Sequence, residues 1–216
     1  MTTTPQQDLR HFVRVYDDAL SATWCTRMLA GFNALSAHQA RNGREVRTAL
    51  PDSAWTELNV TRHGDSLTVG YFRKLIDEAL AHYNTDLGLG IPVPNSTACA
   101  DPVLKRYRPN AGERFQLHFD SVDHLASRYL VLLWYLNDVE RGGATRFPDL
   151  GLEVAARAGR LLIFPAWLKH TVPANDGPSE RISISFNLMF KSFSETMAAP
   201  LWDANAGEAM ADETSG

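Results

Sequence analysis

The chain is poor in cysteine, in surplus positive charge and in long apolar runs, and each shortage closes off a class of protein. Two cysteines, Cys25 and Cys99, are too few for a disulfide framework or a thiolate metal cluster. A disulfide-stapled secreted scaffold is thereby excluded, and a reduced cytoplasm is the expected setting. Lys and Arg number 21 against 25 Asp and Glu, a formal net charge of -4. Such a balance gives no general affinity for nucleic acid or an anionic membrane. No apolar run reaches membrane-spanning length. The polar stretch Met1-Thr2-Thr3-Thr4-Pro5-Gln6-Gln7-Asp8 has neither the basic nor the apolar part of a secretory signal. What remains is ordinary globular composition, 44% hydrophobic and 21% charged over 216 residues, enough for one domain with a well-buried core.

Residues 1–10 are polar and expected to fray. Phe12 to Tyr16 alternates as a short strand does. Ser21 then offers an N-cap to a helix whose apolar face carries Trp24, Met28, Phe32 and Leu35. Residues 38–66 are polar, hold Arg41, Arg44, Arg47 and Arg62, and are broken by Pro51 and Gly64. They read as a solvated segment, with a lid over an anionic substrate as the functional alternative. A second helix is predicted from about Ser66 to Tyr83, with Leu67, Tyr71, Leu75, Ile76, Ala79, Leu80 and Tyr83 on its buried face. Gly88 to Pro94 forms a loop.

From about residue 102 the period changes to two. Strands are expected at Val103–Tyr107, Phe115–Asp120, Arg128–Asn137, Gly143–Phe147, Leu152–Ala155, Arg160–Phe164, His170–Pro173 and Glu180–Phe190. Some eight short strands after two helices imply a mainly β protein, a jelly-roll barrel or sandwich with helices on one outer face. In the last strand Arg181, Ser183, Ser185 and Asn187 share one face, and Ile182, Ile184, Phe186, Leu188 and Phe190 the other. A half-exposed strand explains that pattern, but so does a barrel wall with helices outside and a polar site within. Arg128–Asn137, apolar on both faces, demands cover on both sides and favours the barrel.

His118 and Asp120 stand two apart, so on a strand they project to one side. With His170 downstream they supply two imidazoles and a carboxylate, the ligand set of a facial-triad non-haem iron site. An isolated His-x-Asp is a weak signal. Asp123 and His124 crowd the same stretch and compete as ligands, although a loop position at the site entrance suits them better.

The order and spacing of further pieces make the signal specific. They are Tyr107-Arg108-Pro109, His118-Phe119-Asp120, Tyr135-Leu136-Asn137-Asp138, Gly142 to Phe147, Gly159 to Pro165, His170 and Arg181-Ile182-Ser183. The run from Tyr107 to Phe190 resembles the Fe(II)/2-oxoglutarate-dependent oxygenases, and within them the prolyl-4-hydroxylase-like branch. The resemblance is strong over the C-terminal half and only outlined in the helical half. It implies a double-stranded β-helix (jelly-roll) core over 102–190, N-terminal helical support and a variable loop over 1–101, and an acidic tail over 191–216, all in one oxygenase domain.

The resemblance also implies roles. His118, Asp120 and His170 would bind Fe(II) and be the catalytic centre. Arg181 would hold the distal carboxylate of 2-oxoglutarate, which its planar fork suits; many prolyl-hydroxylase-like members carry Lys there. Tyr135 would donate to the same carboxylate, Ser183 completes an Arg-x-Ser pattern, and Tyr107 would lie near cosubstrate or substrate. Dioxygen would take the remaining iron position. Asp120, where related halogenases have Gly or Ala, points to hydroxylation. The expected reaction is hydroxylation of an unactivated C–H bond in an amino acid or small metabolite. Peptidyl or protein hydroxylation, a non-catalytic jelly-roll binding module and a zinc hydrolase are the alternatives. A homodimer is permitted, since Trp202 could be exposed.

Overall fold

The strand with no polar face sits at the centre of the fold. In the computed structural model, which describes residues 8–95 and 98–190, β6 (Arg128–Tyr135) lies between β9 (Leu161–Pro165) and β11 (Arg181–Met189). Leu130, Leu132 and Trp134 face a helical layer, while Val131 and Tyr135 face a second sheet. A strand covered on both sides is apolar on both sides.

Seven antiparallel strands form the larger sheet. Besides those three they are β1 (Arg14–Tyr16), β2 (Ala40–Gly43), β3 (Ala54–Asn59) and β4 (Val103–Tyr107), in the order β1-β9-β6-β11-β4-β3-β2. The smaller sheet has the order β5-β10-β7-β8. Its strands are β5 (Phe115–His118), β7 (Thr145–Phe147), β8 (Leu152–Val154) and β10 (His170–Val172). Two facing antiparallel sheets give the jelly-roll core expected from the sequence.

The outer face of the larger sheet carries α1 (Ala22–Ala34) and α3 (Ser66–Leu87), with the one-turn α2 (Val60–His63) before α3. Ser21 caps α1 through its side chain to the Trp24 N–H, and Asp65 caps α3 by accepting from the Thr68 N–H at 2.6 Å. Gly88, left-handed at φ 60°, ends α3 by donating to the Asn84 carbonyl. Cys25, Met28 and Phe32 of α1, and Phe72, Ile76, Leu80 and Tyr83 of α3, pack against Ile182, Ile184, Phe186 and Leu188 of β11. Burying each large side chain contributes roughly 1.5–3 kcal/mol, so this layer holds the sheet flat side outward and leaves the other face of β11 for the site.

The structure revises several sequence expectations. Leu67 is exposed, and Thr68 and Phe72 take its place on the buried face of α3, which runs on to Leu87. The predicted strands shorten or shift at their ends. Gly142 and Gly143, at φ 72° and 62°, form the turn, so that strand begins only at Thr145. Residues 38–66 are not one solvated segment, since they contain β2, β3 and α2. Their polar residues hid the strands because they satisfy each other across them. Glu57 accepts from Asn42 Nδ2 at 2.7 Å and from Trp55 Nε1 at 2.6 Å. The four arginines do not form one patch. Arg41 pairs with Glu45 and Glu113, Arg44 is exposed just after β2, Arg47 reaches the cleft described below, and Arg62 lies on α2. The tail 191–216, with Trp202, and residues 1–7 lie outside the described residues.

Candidate metal centre

β5 and β10 are paired so that His118 stands directly opposite His170. Cross-strand partners on one face lie about 4.5–5.5 Å apart at Cβ, which brings two histidines 52 residues apart in sequence to one point. Asp120 follows just beyond β5. Its backbone N–H and that of Ser121 both donate to the Ala166 carbonyl, at 3.0 and 3.2 Å. That clamp ties the end of β5 to the turn before β10. One ligand atom from each of His118, Asp120 and His170 then lies within 4.8 Å of the others, a group able to hold a metal ion. Asp123 and His124 are exposed on the following 3-10 turn and line the entrance.

The imidazoles are oriented for that role. His118 Nδ1 lies 2.8 Å from the Gln116 carbonyl, and His170 Nδ1 lies 3.0 Å from the Leu168 carbonyl. A carbonyl only accepts, so each Nδ1 carries the hydrogen and each Nε2 turns a lone pair inward. Phe115 stacks on His118 at 3.7 Å, and Phe164 meets His170 edge-on at 4.7 Å. His118 Nε2 is buried, makes no hydrogen bond, and stands 3.4 Å from Asp120 Oδ1. A lone pair facing a carboxylate is unfavourable unless a cation sits between them. A divalent metal fits this donor set.

Charge supports the same fit. Burial, and then His118 beside it, push His170 down to about 4, so it is a neutral ligand at neutral pH. Burial alone would raise the Asp120 carboxyl, but His118 and His170, protonated at the low pH where the carboxyl would titrate, and Lys105 outweigh it and hold the group well below the usual carboxylate range.

Across the cavity the larger sheet contributes a cationic pocket. Arg181 is 1% exposed and, among the described residues, has no carboxylate partner. Its guanidinium donates to Ser183 Oγ at 3.2 Å and to Thr145 Oγ1 at 3.4 Å, its Nε is unpaired, and its charge sits over the rings of Tyr107 and Tyr135 at 5.0 and 5.2 Å. A buried cation held by hydroxyls and aromatic faces lacks its anion, and a ligand carboxylate would supply it. Tyr107, Ser183 and Arg181 line the cavity together with the three candidate metal ligands. Tyr135 is placed differently from the sequence expectation. It is fully buried behind the wall, and its hydroxyl meets Thr145 Oγ1 at 2.7 Å. Thr145, Lys105 and Phe115 are among the cavity residues that sequence reasoning missed. Thr145 directly follows the Gly-Gly turn, which was the available signal.

The inner space between the sheets is narrow, about 30 Å³, and opens past Lys105, Phe115 and His118 into a cleft of about 470 Å³. At its present size the inner part holds about one water. A dicarboxylate enters only if a side chain at this neck turns aside.

A family model described as "Putative 2OG-Fe(II) oxygenase" matches residues 143–187, the span holding Thr145, His170, Arg181 and Ser183. Comparison with curated proteins gives no match. Among solved structures the chain is similar to a viral collagen prolyl hydroxylase from Paramecium Bursaria Chlorella virus-1 in complex with 2-oxoglutarate. The TM-score is 0.59 at 20% identity, covering 82% of this chain and 94% of that one. A Pseudomonas putida prolyl-4-hydroxylase gives 0.62 at 20% identity, covering 83% and 94%. The α-ketoglutarate-dependent epimerase SnoN of nogalamycin biosynthesis gives 0.55 at 18% identity, covering 83% and 78%. These likenesses carry the fold; the matched segment holds His170 and Arg181, and His118 and Asp120 lie ahead of it. The chain has the fold of these 2-oxoglutarate-dependent enzymes, and its segment 143–187 matches the oxygenase family model.

Proposed function

We propose that this chain is a 2-oxoglutarate- and Fe(II)-dependent oxygenase that hydroxylates an unactivated C–H bond of an amino acid or small metabolite, with His118, Asp120 and His170 as its iron ligands. The observation that carries the reading is the pairing of two sites across one cavity. A three-ligand group with inward Nε2 lone pairs lies on the small sheet, and a buried guanidinium without an anion lies on the large one. Bound Fe(II), together with 2-oxoglutarate and dioxygen, supplies the oxidising power for C–H hydroxylation.

The residues of the chain do the rest. His118 and His170 present neutral imidazoles, and Asp120 neutralises part of the metal charge. Arg181 takes the distal carboxylate of 2-oxoglutarate, with Ser183 and Thr145 fixing the plane of its fork. Tyr135 holds Thr145 from behind, and burial pushes its phenol up, as it does for Tyr107, so both stay protonated. Phe115, Phe164 and Val172 line the cavity with apolar surface and limit water near the reacting centre.

Prolyl-type hydroxylation of a peptide is the second reading. It is favoured by exposed apolar side chains near the entrance, Leu117, Phe119, Val122 and Trp167, and by the prolyl hydroxylases among the structural matches. No helix among the described residues is long and apolar enough to cross a membrane, and both cysteines are free. A cytoplasmic setting remains the expectation from the low cysteine content of the sequence.

The test is anaerobic titration of Fe(II)-loaded protein with 2-oxoglutarate, followed through the weak visible charge-transfer band of the metal–cosubstrate complex. The band is expected in the unaltered protein and lost in His170→Ala. A folded, iron-loaded protein that gives no band overturns the reading.

A further inference from the structure

Besides the exposed Arg47, the entrance cleft holds two less exposed cations that the cosubstrate reading does not use. Lys105 projects from β4 on the cavity face, opposite Ser183 of β11 and Glu57 of β3. Its ammonium lies 5.0 Å from the Phe115 ring and 5.4 Å from the Trp55 ring, so aromatic faces hold it in place of a carboxylate. Glu57, its cross-strand neighbour, is already taken by Asn42 and Trp55. Lys105 lines both the inner cavity and the cleft.

Arg128 is the second cation. Strict alternation along β6 would turn it outward with Leu130 and Leu132. The register of β6 against β11 shifts between Leu188 and Met189, however, and Arg128 lines the cleft beside Asn187. Its Nε is buried without a partner. Among the described residues neither Lys105 nor Arg128 makes an ion pair. Burial pushes both below their ordinary values, and the charge of Asp120 offsets it only in part.

An unfilled acceptor completes the set. Asn187, at the cleft end of the polar face of β11, has its Oδ1 buried and unpaired. Six residues separate it from Arg181, about 20 Å along a strand, so the two ends of one strand face serve separate groups. Four carboxylates also line the cleft: Asp101 and Asp123 are exposed and their charge is screened, Glu57 is held by Asn42 and Trp55, and Asp120 belongs to the metal-ligand group.

We propose that the substrate carries a free carboxylate, drawn into the cleft by Lys105 at its neck and Arg128 further out, beside an N–H that donates to Asn187 Oδ1. That pairing describes a free amino acid and not a residue inside a peptide, whose carboxyl is an uncharged amide. A cleft of about 470 Å³ is of ligand size. The inference rests on the reading in which 2-oxoglutarate binds at Arg181 in the inner cavity.

The experiment is anaerobic calorimetry on Fe(II)-loaded protein saturated with 2-oxoglutarate, titrated with each proteinogenic amino acid. Every binder is then compared with its methyl ester and with the same residue inside a capped tripeptide. At least one free acid is expected to bind, and its ester and peptide forms to bind roughly ten- to a hundredfold more weakly, the range for a charged hydrogen-bonded partner. Arg128 lines the cleft but not the inner cavity, and Arg128→Met is expected to lose the same factor for the acid while leaving its ester and 2-oxoglutarate affinity unchanged. Where Arg128→Met does not fold, Lys105→Met and the acid–ester comparison on unaltered protein decide. Equal binding of acid and ester overturns the proposal, as does the absence of any amino-acid binder in protein that binds 2-oxoglutarate. So does a Lys105→Met that weakens 2-oxoglutarate instead, which assigns Lys105 to the cosubstrate. Failure of 2-oxoglutarate itself to bind overturns the underlying reading as well, so the two failures are distinguishable.

Discussion

Arg181 gives a way to separate function from stability at the scale of one residue. A buried charge is expensive, and replacing it with an apolar group of similar volume is often neutral or stabilising. Arg181→Met should therefore leave the cosubstrate-free protein as stable as before, or more so, by chemical denaturation. The same change should weaken 2-oxoglutarate binding by about 1.5–3 kcal/mol, the worth of a charged hydrogen-bonded partner. A variant that unfolds while keeping cosubstrate affinity would show that Arg181 is structural. Thr145→Val is a smaller version of the test. It removes a hydroxyl shared by Arg181 and Tyr135, so calorimetry should show about 1 kcal/mol of lost 2-oxoglutarate affinity.

At the scale of elements, the site depends on how β4 is joined to β5, because these strands carry Tyr107 and Lys105 on one sheet and His118 on the other. The join is locked by Glu113, whose side chain is 1% exposed. It accepts from the Arg108 backbone N–H at 2.7 Å and from the Arg108 guanidinium at 2.8 and 2.9 Å, and it meets Arg41 of β2 at 3.3 Å. Glu113→Ala strands a backbone donor and frees two arginines. Urea unfolding should show a loss of about 1–3 kcal/mol, part of which Glu113→Gln restores by keeping an acceptor. The sequence marks this turn only by Pro109, Asn110 and Gly112. Nothing local to Glu113 says that its partners are Arg108 and an arginine on another strand.

For the whole molecule the large sheet is a partition. Helices cover one face, and the other lines the cavity, so damage on the helical side should lower stability without reaching the chemistry. Phe72 of α3 is the sharpest probe, packed against Trp134 at 5.6 Å and Phe186 at 5.1 Å. Phe72→Ala should cost about 3–5 kcal/mol through the cavity it leaves. Below its lowered melting temperature, 2-oxoglutarate affinity should match that of the unaltered protein. A matching loss of affinity would mean that the helical layer sets the geometry of the site and does more than support it.

The sequence by itself determined what a local pattern can carry. The double apolar face of β6 required cover on both sides, the alternation of β11 separated a core face from a site face, and His118-x-Asp120, His170 and Arg181 stood at spacings that strands convert into direction. Tertiary structure decided what depends on pairing between distant segments. It found β2 and β3, whose polar side chains satisfy one another only across strands. It moved Tyr135 behind the wall and put Thr145 in front of it. The β6–β11 register shift turned Arg128 into the cleft, against the alternation its own strand predicts. The physical reason is the same in each case. Period and residue type act within a few positions, whereas register, hydrogen-bond satisfaction and burial of charge are settled only when strands far apart in the chain lie side by side.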